Sequence, residues 1–520
     1  MGTAIVWLRN ILRVHDNPLL DWASNSEEVE SVVPIFVMGS IRGTGQEDSV
    51  SDNRMRFLYE SLVDLDTRLE REFGSRLVVL SGEAEEVVPL VAEELGSDSG
   101  WLLCDYQQDP KSRSEIQSIK DSLVGTGFRT RVFPSVSTVL DIESVLASQG
   151  YRDPKSSSDI AAILRSNLGE HRGSYSVPIP LDPPEDLKFD LGTFERLRVS
   201  EPLSRFILDM DDVSSRAKDL GMGGAYFRGG ESEALERLSR KVRDRPEFVN
   251  QFSKPSTVST NERGNPMEPS TTGLSPYLST GCLSVRKVWQ ECAKANLGSD
   301  HTKPPQSLIG QLMFREMFYL LSRSVENWDD DVGNSNCKPI EWGEYDEELV
   351  RAWEEGMTGF PYIDAMMRQL EATGWMHHLG RHAVSCFLTR GQLWQNWKHG
   401  RDVFDRKLVD SDWAVNNGNW LWLAGVAPFS MPYYRVYNPC PDSKSSLNVE
   451  AKEASFIRHW VPELASFPSR YIFEPHLAPE HVQEEAGCVI GTDYPSPIVD
   501  RKESRRVNLD LFKESLARIA

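Results

Sequence analysis

Residues 374–391 read GWMHHLGRHAVSCFLTRG, residues 393–400 LWQNWKHG and residues 410–425 DSDWAVNNGNWLWLAG. Six of the 14 tryptophans fall in this stretch: Trp375, Trp394, Trp397, Trp413, Trp420 and Trp422. Three histidines (His377, His378, His382) and an Asp-x-Asp (Asp410, Asp412) lie among them. Indole is the most easily oxidised side chain after thiolate, so clustered indoles suit a site that moves electrons or stacks on flat rings. The plain alternative is a tryptophan-rich helical core, since indoles are also large hydrophobes. Apolar spacing of helical period over 362–373, 376–390 and 401–409 sets the stretch on packed helices.

Outward from this stretch the same period runs back through 346–356, 306–324, 284–296 and 231–244. From about Gly221 onward strand signals fade, and 11 of the 14 tryptophans lie in this helical part. The first third alternates. Ala4–Leu8, Val32–Val37, Leu77–Leu80, Trp101–Cys104 and Thr130–Phe133 read as strands, and 53–72, 84–96 and 112–125 as helices. Strands alternating with helices predict a parallel sheet with crossover helices. The expected fold is therefore a Rossmann-like α/β N-terminal domain plus a mostly α-helical C-terminal domain. No GxGxxG follows the first strand, so the dinucleotide fingerprint is absent there. Residues 140–215 are polar, acidic and proline-bearing (VPIPLDPPED) and read as an interdomain connector. The expected partition is 1–135, a connector over 136–215, 216–500, and a short helical tail over 501–520.

A chain of 520 residues with 39% hydrophobic and 26% charged content fits a soluble protein of two or more domains. No run of 18 apolar residues exists, which argues against a membrane span. The N-terminus lacks the features of a signal peptide. Seven cysteines, without CxxC or metal-ligand spacing, read as reduced thiols of an intracellular protein with no metal site. Nucleus and cytoplasm are both compatible with this. A net charge of -21 opposes generic nucleic-acid binding but leaves room for a local basic groove.

Several ordered phrases then agree: VWLRNILRVHDNPLL (6–20), GGESEAL (229–235), TTGLSPYLSTGCLS (271–284), GQLMFREMFY (310–319), GNSNCKPIEW (333–342), the segment 359–384 and DWAVNNGNWLW (412–422). Together they resemble the photolyase/cryptochrome family of flavoproteins across essentially the whole chain, with 140–215 the weakest part. GNSNCKPIEW and HHLGRH are similar to the branch of (6-4) photolyases and animal-type cryptochromes. The resemblance implies an antenna domain over 1–135 and a FAD-binding domain over 216–500. It seats the FAD pyrophosphate at Thr271, Thr272, Gly273, Leu274 and Ser275, just before a helix, with Phe252 and Lys254 preceding them. Hydroxyls and N–H groups at a helix start suit phosphate; an ordinary helix cap is the alternative. Gln311 and Arg315, four apart on one helix face, would line the flavin pocket. The resemblance also implies an Arg381–Asp410 ion pair beside the isoalloxazine, Asp412 accepting from its edge, and Asn416 facing N5. A neutral amide there suits a long-lived reduced anionic flavin, as repair needs.

By the same resemblance His378 is the proton donor to a lesion and His382 positions it, histidine being the residue that titrates near neutrality. Trp420, Trp397 and Trp342 match an electron-transfer chain from flavin to surface, with Trp394 as an outer member. Trp375 and Phe314 belong to the substrate pocket, and Phe314 stands where repair enzymes of this kind carry tryptophan. Asn10 in LRNILR likewise departs from a basic residue. The implied function is light-driven repair of (6-4) photoproducts in double-stranded DNA by a monomer carrying reduced FAD. The alternatives are a cryptochrome photoreceptor with protein signalling partners, a protein with both roles, and cyclobutane-dimer repair. A deazaflavin or folate antenna is compatible with the N-terminal domain, which selects neither.

Overall fold

Five short segments form the parallel strands β1 (Gly2–Trp7), β2 (Val29–Val37), β3 (Val78–Leu80), β4 (Gly100–Asp105) and β5 (Phe128–Phe133), mostly apolar in the first four and mixed with arginine in the edge strand β5. Residues 2–40, 50–96, 98–171, 173–221, 226–253 and 268–519 are described by the structure, a computed structural model. Near-continuous apolar runs such as VVPIFV suit strands covered on both faces, as parallel strands are. The order is β5-β4-β1-β2-β3, extended by β6 (Ile207–Leu208), which pairs antiparallel with β3. The crossovers include α1 (Pro18–Asn25), α2 (Asp52–Phe73), α3 (Ala84–Leu95) and α4 (Pro110–Ser122). Ile5, Trp7, Ile35, Val37, Val78 and Leu80 from the sheet pack with Val87, Val88, Val91 and Leu95 of α3 in one core. The strand order reverses between β1 and β4, the position where open α/β sheets bind ligands.

The region read as a connector carries regular structure: α5 (Ser157–Leu168), α6 (Leu191–Val199), α7 (Met210–Asp219) and strand β6. Each helix buries only one or two apolar side chains: Ile160 and Leu164, Phe194 and Leu197, Val213. Such sparse anchors, three or four apart, hold a helix on a neighbour without making an apolar run.

The chain divides into two compact units. The first holds residues 1–222, 227–250 and 274–324, so that α8 (Glu231–Leu238), α9 (Val285–Asn296) and α10 (Leu308–Ser324) belong to the same unit as the sheet. Buried ions explain this grouping. Arg13, after β1, donates to the carbonyls of His15 (3.1 Å), Asp16 (3.0 Å), Val136 (3.1 Å) and Gly281 (2.8 Å). Burial lowers its guanidinium to about 10. Glu231 accepts from the N–H of Val14 (2.7 Å) and of His15 (3.0 Å) and pairs with the His15 ring. Asp16 accepts from Arg286 at 2.9 Å and from the Ser284 hydroxyl. Glu316 of α10 accepts from Val139 and Leu140 N–H at 3.1 Å, and burial pushes its carboxyl up to about 7. Each buried charge thus meets fixed partners, the condition under which burial is tolerated.

The second unit holds residues 223–226, 251–273 and 325–520. Its helices include α11 (Glu347–Glu354), α12 (Pro361–Thr373), α13 (His378–Cys386), α14 (Trp397–Lys407), α15 (Trp413–Leu423) and α16 (Arg501–Ile519). The helix expected over 376–390 is split, because α13 passes into a π-helical turn at Phe387–Gly391. The helix expected over 401–409 begins at Trp397, capped by Asn396, whose side chain accepts from Lys398 N–H at 3.0 Å. Among the described residues no helix is long and apolar enough to cross a membrane.

Candidate flavin and lesion site

His377 caps α13, accepting from Leu379 N–H at 3.1 Å, and so sets where the helix starts. That start puts His378 and His382 one turn apart on one face. Their rings lie 6.0 Å apart at 82°. His382 is buried, its Nδ1 is 3.0 Å from the Tyr437 hydroxyl, and its ring meets Trp422 edge-on at 5.3 Å. Burial raises the Tyr437 phenol, so that it stays protonated as a donor or acceptor toward the imidazole. Neither Tyr437 nor Trp422 was among the expected site residues. Tyr437 lies 55 residues from its partner, and no local spacing announces it.

On the same helix Arg381 donates from Nη2 to Asp410 Oδ2 at 2.8 Å and from Nε to the Met376 carbonyl at 2.9 Å. Asp410 Oδ1 is buried and has no hydrogen-bond partner among the described residues. An unsatisfied buried acceptor costs about 1–3 kcal/mol, which a ligand N–H recovers. Asp412 caps α15, its Oδ1 accepting from Val415 N–H at 3.0 Å. Asn416, one turn on and buried, donates from Nδ2 to the Arg401 carbonyl at 3.1 Å. With the amide nitrogen committed, its oxygen remains as an acceptor. A cation held beside a carboxylate with a spare oxygen, and a carboxamide presenting oxygen, fit the N–H-bearing edge and electron-rich ring of a reduced flavin.

Trp397 and Trp420 lie on two helices in contact, whereas Trp342, Trp375 and Trp394 lie outside helices. Trp420 of α15 and Trp397 at the start of α14 are fully buried. Trp420 rests against Phe404 (5.0 Å) and Trp353 (6.4 Å). It also lies directly on Gly400, where a Cβ would come within 2.0 Å of Cη2 of the indole. Trp342 and Trp394 are 5.0 Å apart at 53°. The turn that presents Trp394 holds it at φ 54, and its carbonyl accepts from Gly343 N–H at 3.0 Å. Trp375 is buried against Tyr226, centroids 5.9 Å apart, and the Tyr226 hydroxyl accepts from Gln369 at 2.8 Å.

Gln311 and Arg315 share one face of α10. Gln311 donates to the Pro305 carbonyl at 3.2 Å, and Arg315 to the Ser137 carbonyl and to the Tyr319 hydroxyl at 2.9 Å. Phe314 is half-buried on the same helix. Phe252 is buried, and Lys254 lies outside the described residues. Thr271 and Thr272 are half-buried, and Gly273 has φ 60. Leu274 precedes a five-residue helix, Ser275–Ser279, that has no side-chain cap.

Residues 308–514 match the family model of the FAD-binding domain of DNA photolyase, and residues 4–163 match that of DNA photolyase. The chain belongs to the photolyase/cryptochrome family. A (6-4)DNA photolyase of Oryza sativa subsp. japonica is 39% identical over 96% of this chain and 87% of its own length. Cryptochrome-2 of Gallus gallus is 34% identical over 98% of this chain and 83% of its own length. An archaeal photolyase structure from Sulfolobus tokodaii, with two FAD molecules, superposes at a TM-score of 0.71 with 26% identity, covering 98% of this chain and all of that one. FAD is accordingly the cofactor of this photolyase/cryptochrome chain, and both the parallel sheet and the helical C-terminal part are those expected of the family.

Proposed function

We propose that this chain repairs (6-4) pyrimidine–pyrimidone photoproducts in double-stranded DNA under blue light. The observation that carries the reading is the His378–His382 pair, perpendicular at 6.0 Å, with His382 held by Tyr437. Acid catalysis on a lesion needs one imidazole to deliver a proton and a second group to hold the acceptor in place. His378 delivers the proton, and His382, oriented by Tyr437, positions the lesion. Reduced FAD, when bound, supplies the photoexcited electron that the lesion takes up and returns. Arg381 and Asp410 hold the flavin edge, Asp412 and Asn416 accept from it, and Asn416 has no proton to give to N5. Gln311, Arg315, Phe252, Lys254 and the phrase Thr271–Ser275 bind the rest of the dinucleotide. Trp420, Trp397, Trp342 and Trp394 carry electrons inward to restore the reduced cofactor. Trp375 and Phe314 pack on the extruded lesion; damaged bases are the cheapest to unstack. DNA contacts run through local basic residues to phosphates.

In this reading residues 1–135 form the antenna domain, 136–215 the connector, 216–500 the catalytic domain and 501–520 the tail of a monomer. At the sheet's switch point the carboxyl of Asp105 is pushed up to about 6 by burial, and its Oδ1, Arg9 Nη1 and Trp7 Nε1 are buried without hydrogen-bond partners among the described residues. These atoms support a heteroaromatic antenna there, a deazaflavin or a folate.

The test is restoration of duplex DNA bearing a defined (6-4) lesion by reduced, FAD-loaded protein under blue light. H378A should lose repair and keep flavin photoreduction. Repair in darkness, or of cyclobutane dimers alone, overturns the reading. Photoreduction without repair of either lesion favours the cryptochrome alternative, which the 34% identity to Gallus gallus cryptochrome-2 supports.

A further inference from the structure

The outer indole pair does not end the ring network of the second unit. Trp342 and Trp394 both meet Phe512 of α16 edge-on, at 6.1 and 6.3 Å. Phe512 is fully buried and stacks face to face on Tyr433, 5.0 Å between centroids and 3° between planes. Tyr433 meets Tyr434 edge-on at 5.7 Å, and Tyr434 is 63% exposed. An unbroken series of rings therefore runs from the indole pair to solvent. The far end is held firmly. Arg390, itself fully buried, donates from Nη1 to the carbonyls of Tyr433 (2.8 Å) and Arg435 (2.9 Å), and from Nε to that of Leu423 (3.3 Å). Ring packing alone explains Phe512 and would be equally served by phenylalanine at 433 and 434. The hydroxyls add something packing does not use, namely oxidation coupled to loss of a proton.

We propose that Tyr433 is the outer electron donor of the indole chain, refilling a hole on Trp342 or Trp394 through Phe512, with Tyr434 as its outlet to solvent. The inference rests on the flavin reading above for the source of the hole, photoexcited oxidised FAD. The indole radical cation gains one electron and is restored. The Tyr433 phenol loses one electron and its O–H proton, which leaves to water, and becomes a neutral phenoxyl radical. Phe512 bridges the transfer and is not itself oxidised. Tyr434 then gives up its own hydrogen atom to Tyr433 and takes one from a small thiol in solution, leaving a thiyl radical. Because the proton is lost to water, the reverse transfer to the indole requires recapturing it, so the charge separation outlasts one confined to indoles.

Two measurements on the full chain test this. In the first, a light flash on oxidised, FAD-loaded protein should give tryptophanyl absorption that is replaced by the narrow band and electron-paramagnetic signature of a neutral tyrosyl radical. In the second, azide radicals made by pulse radiolysis oxidise indoles whether or not flavin responds, and the same indole-to-phenol transfer should follow. Y433F keeps the stacked ring and should melt like wild type, yet lose the tyrosyl signal in both experiments. Tryptophanyl radicals that persist in wild type without a tyrosyl signal overturn the proposal, as does a tyrosyl signal undiminished in both Y433F and Y433F/Y434F. If azide oxidation yields the Tyr433 radical but the flash yields no radical at all, the ring path stands and the flavin reading fails.

Discussion

Replacing Gly400 by alanine puts a single methyl group at the contact that brings two helices of the electron chain together. An added Cβ would lie 2.0 Å from Trp420 Cη2 and 2.6 Å from both Trp420 Cζ2 and Leu388 Cδ2. All three atoms belong to fully buried side chains, and an indole cannot bend out of the way. Alanine gains about 0.8–1 kcal/mol over glycine in a helix interior. Forcing a methyl into a packed core costs about 1–3 kcal/mol, and contacts this short belong at the upper end. The net expectation is a loss of about 2 kcal/mol, a fall in melting temperature of roughly 4–8 °C for a unit of this size. The displaced indole should also slow light-driven reduction of bound flavin, while protein reduced chemically beforehand keeps its repair rate. Thermal denaturation and photoreduction kinetics of G400A and wild type measure both effects. A variant as stable as wild type, with unaltered photoreduction, would refute the packing of Trp420 on α14.

The Glu316 carboxyl, raised by burial from 4.5 to about 7, keeps its proton in the folded chain over a range where the unfolded chain has lost it. Its contribution is complete below pH 4.5 and is lost as pH rises through about 7, at about 1.4 kcal/mol per pH unit and up to about 3 kcal/mol in all. E316Q should lose less stability than wild type between pH 5 and pH 8 in denaturant titrations; equal losses would show that Glu316 is not the titrating group. D410N removes the charge opposite Arg381 and changes the acceptor that Oδ1 offers. A hydrogen bond to a charged group is worth about 1.5–3 kcal/mol, so FAD should bind roughly ten- to a hundredfold more weakly. Unchanged flavin-to-protein ratios after dilution and gel filtration would remove Asp410 from the flavin site.

The strands were legible because a parallel strand, covered on both faces, writes a short apolar run, as VVPIFV does. The start of α14 was not, because Gly400 in its first turn reads as a break. Its lack of a side chain serves Trp420 rather than a turn. Helix α15 escaped for the opposite reason. It is apolar nearly all round, burying Ala414, Trp420, Leu421 and Leu423 together with Asn416 and Asn417, and such a helix has no polar face to mark its period. The histidine pair and the Arg381–Asp410 bridge were visible as phrases, the first by its i, i+4 spacing and the second by resemblance. Tyr437 and Tyr226 were invisible, since each earns its place through a partner 55 or 143 residues away.

The clasp around Arg13 bears on how the chain is made. One of its acceptors, the Gly281 carbonyl, is 268 residues downstream. At roughly 5–20 residues per second, the ribosome delivers that acceptor on the order of 15–50 seconds after the arginine has been added. Late in that interval, once residue 208 has been added, all the strands of the sheet exist while Arg13 still lacks the Gly281 carbonyl, and Asp16 and His15 still lack Arg286 and Glu231. The early sheet is thus a dependent intermediate during biosynthesis, and truncation anywhere before residue 281 strands its charges.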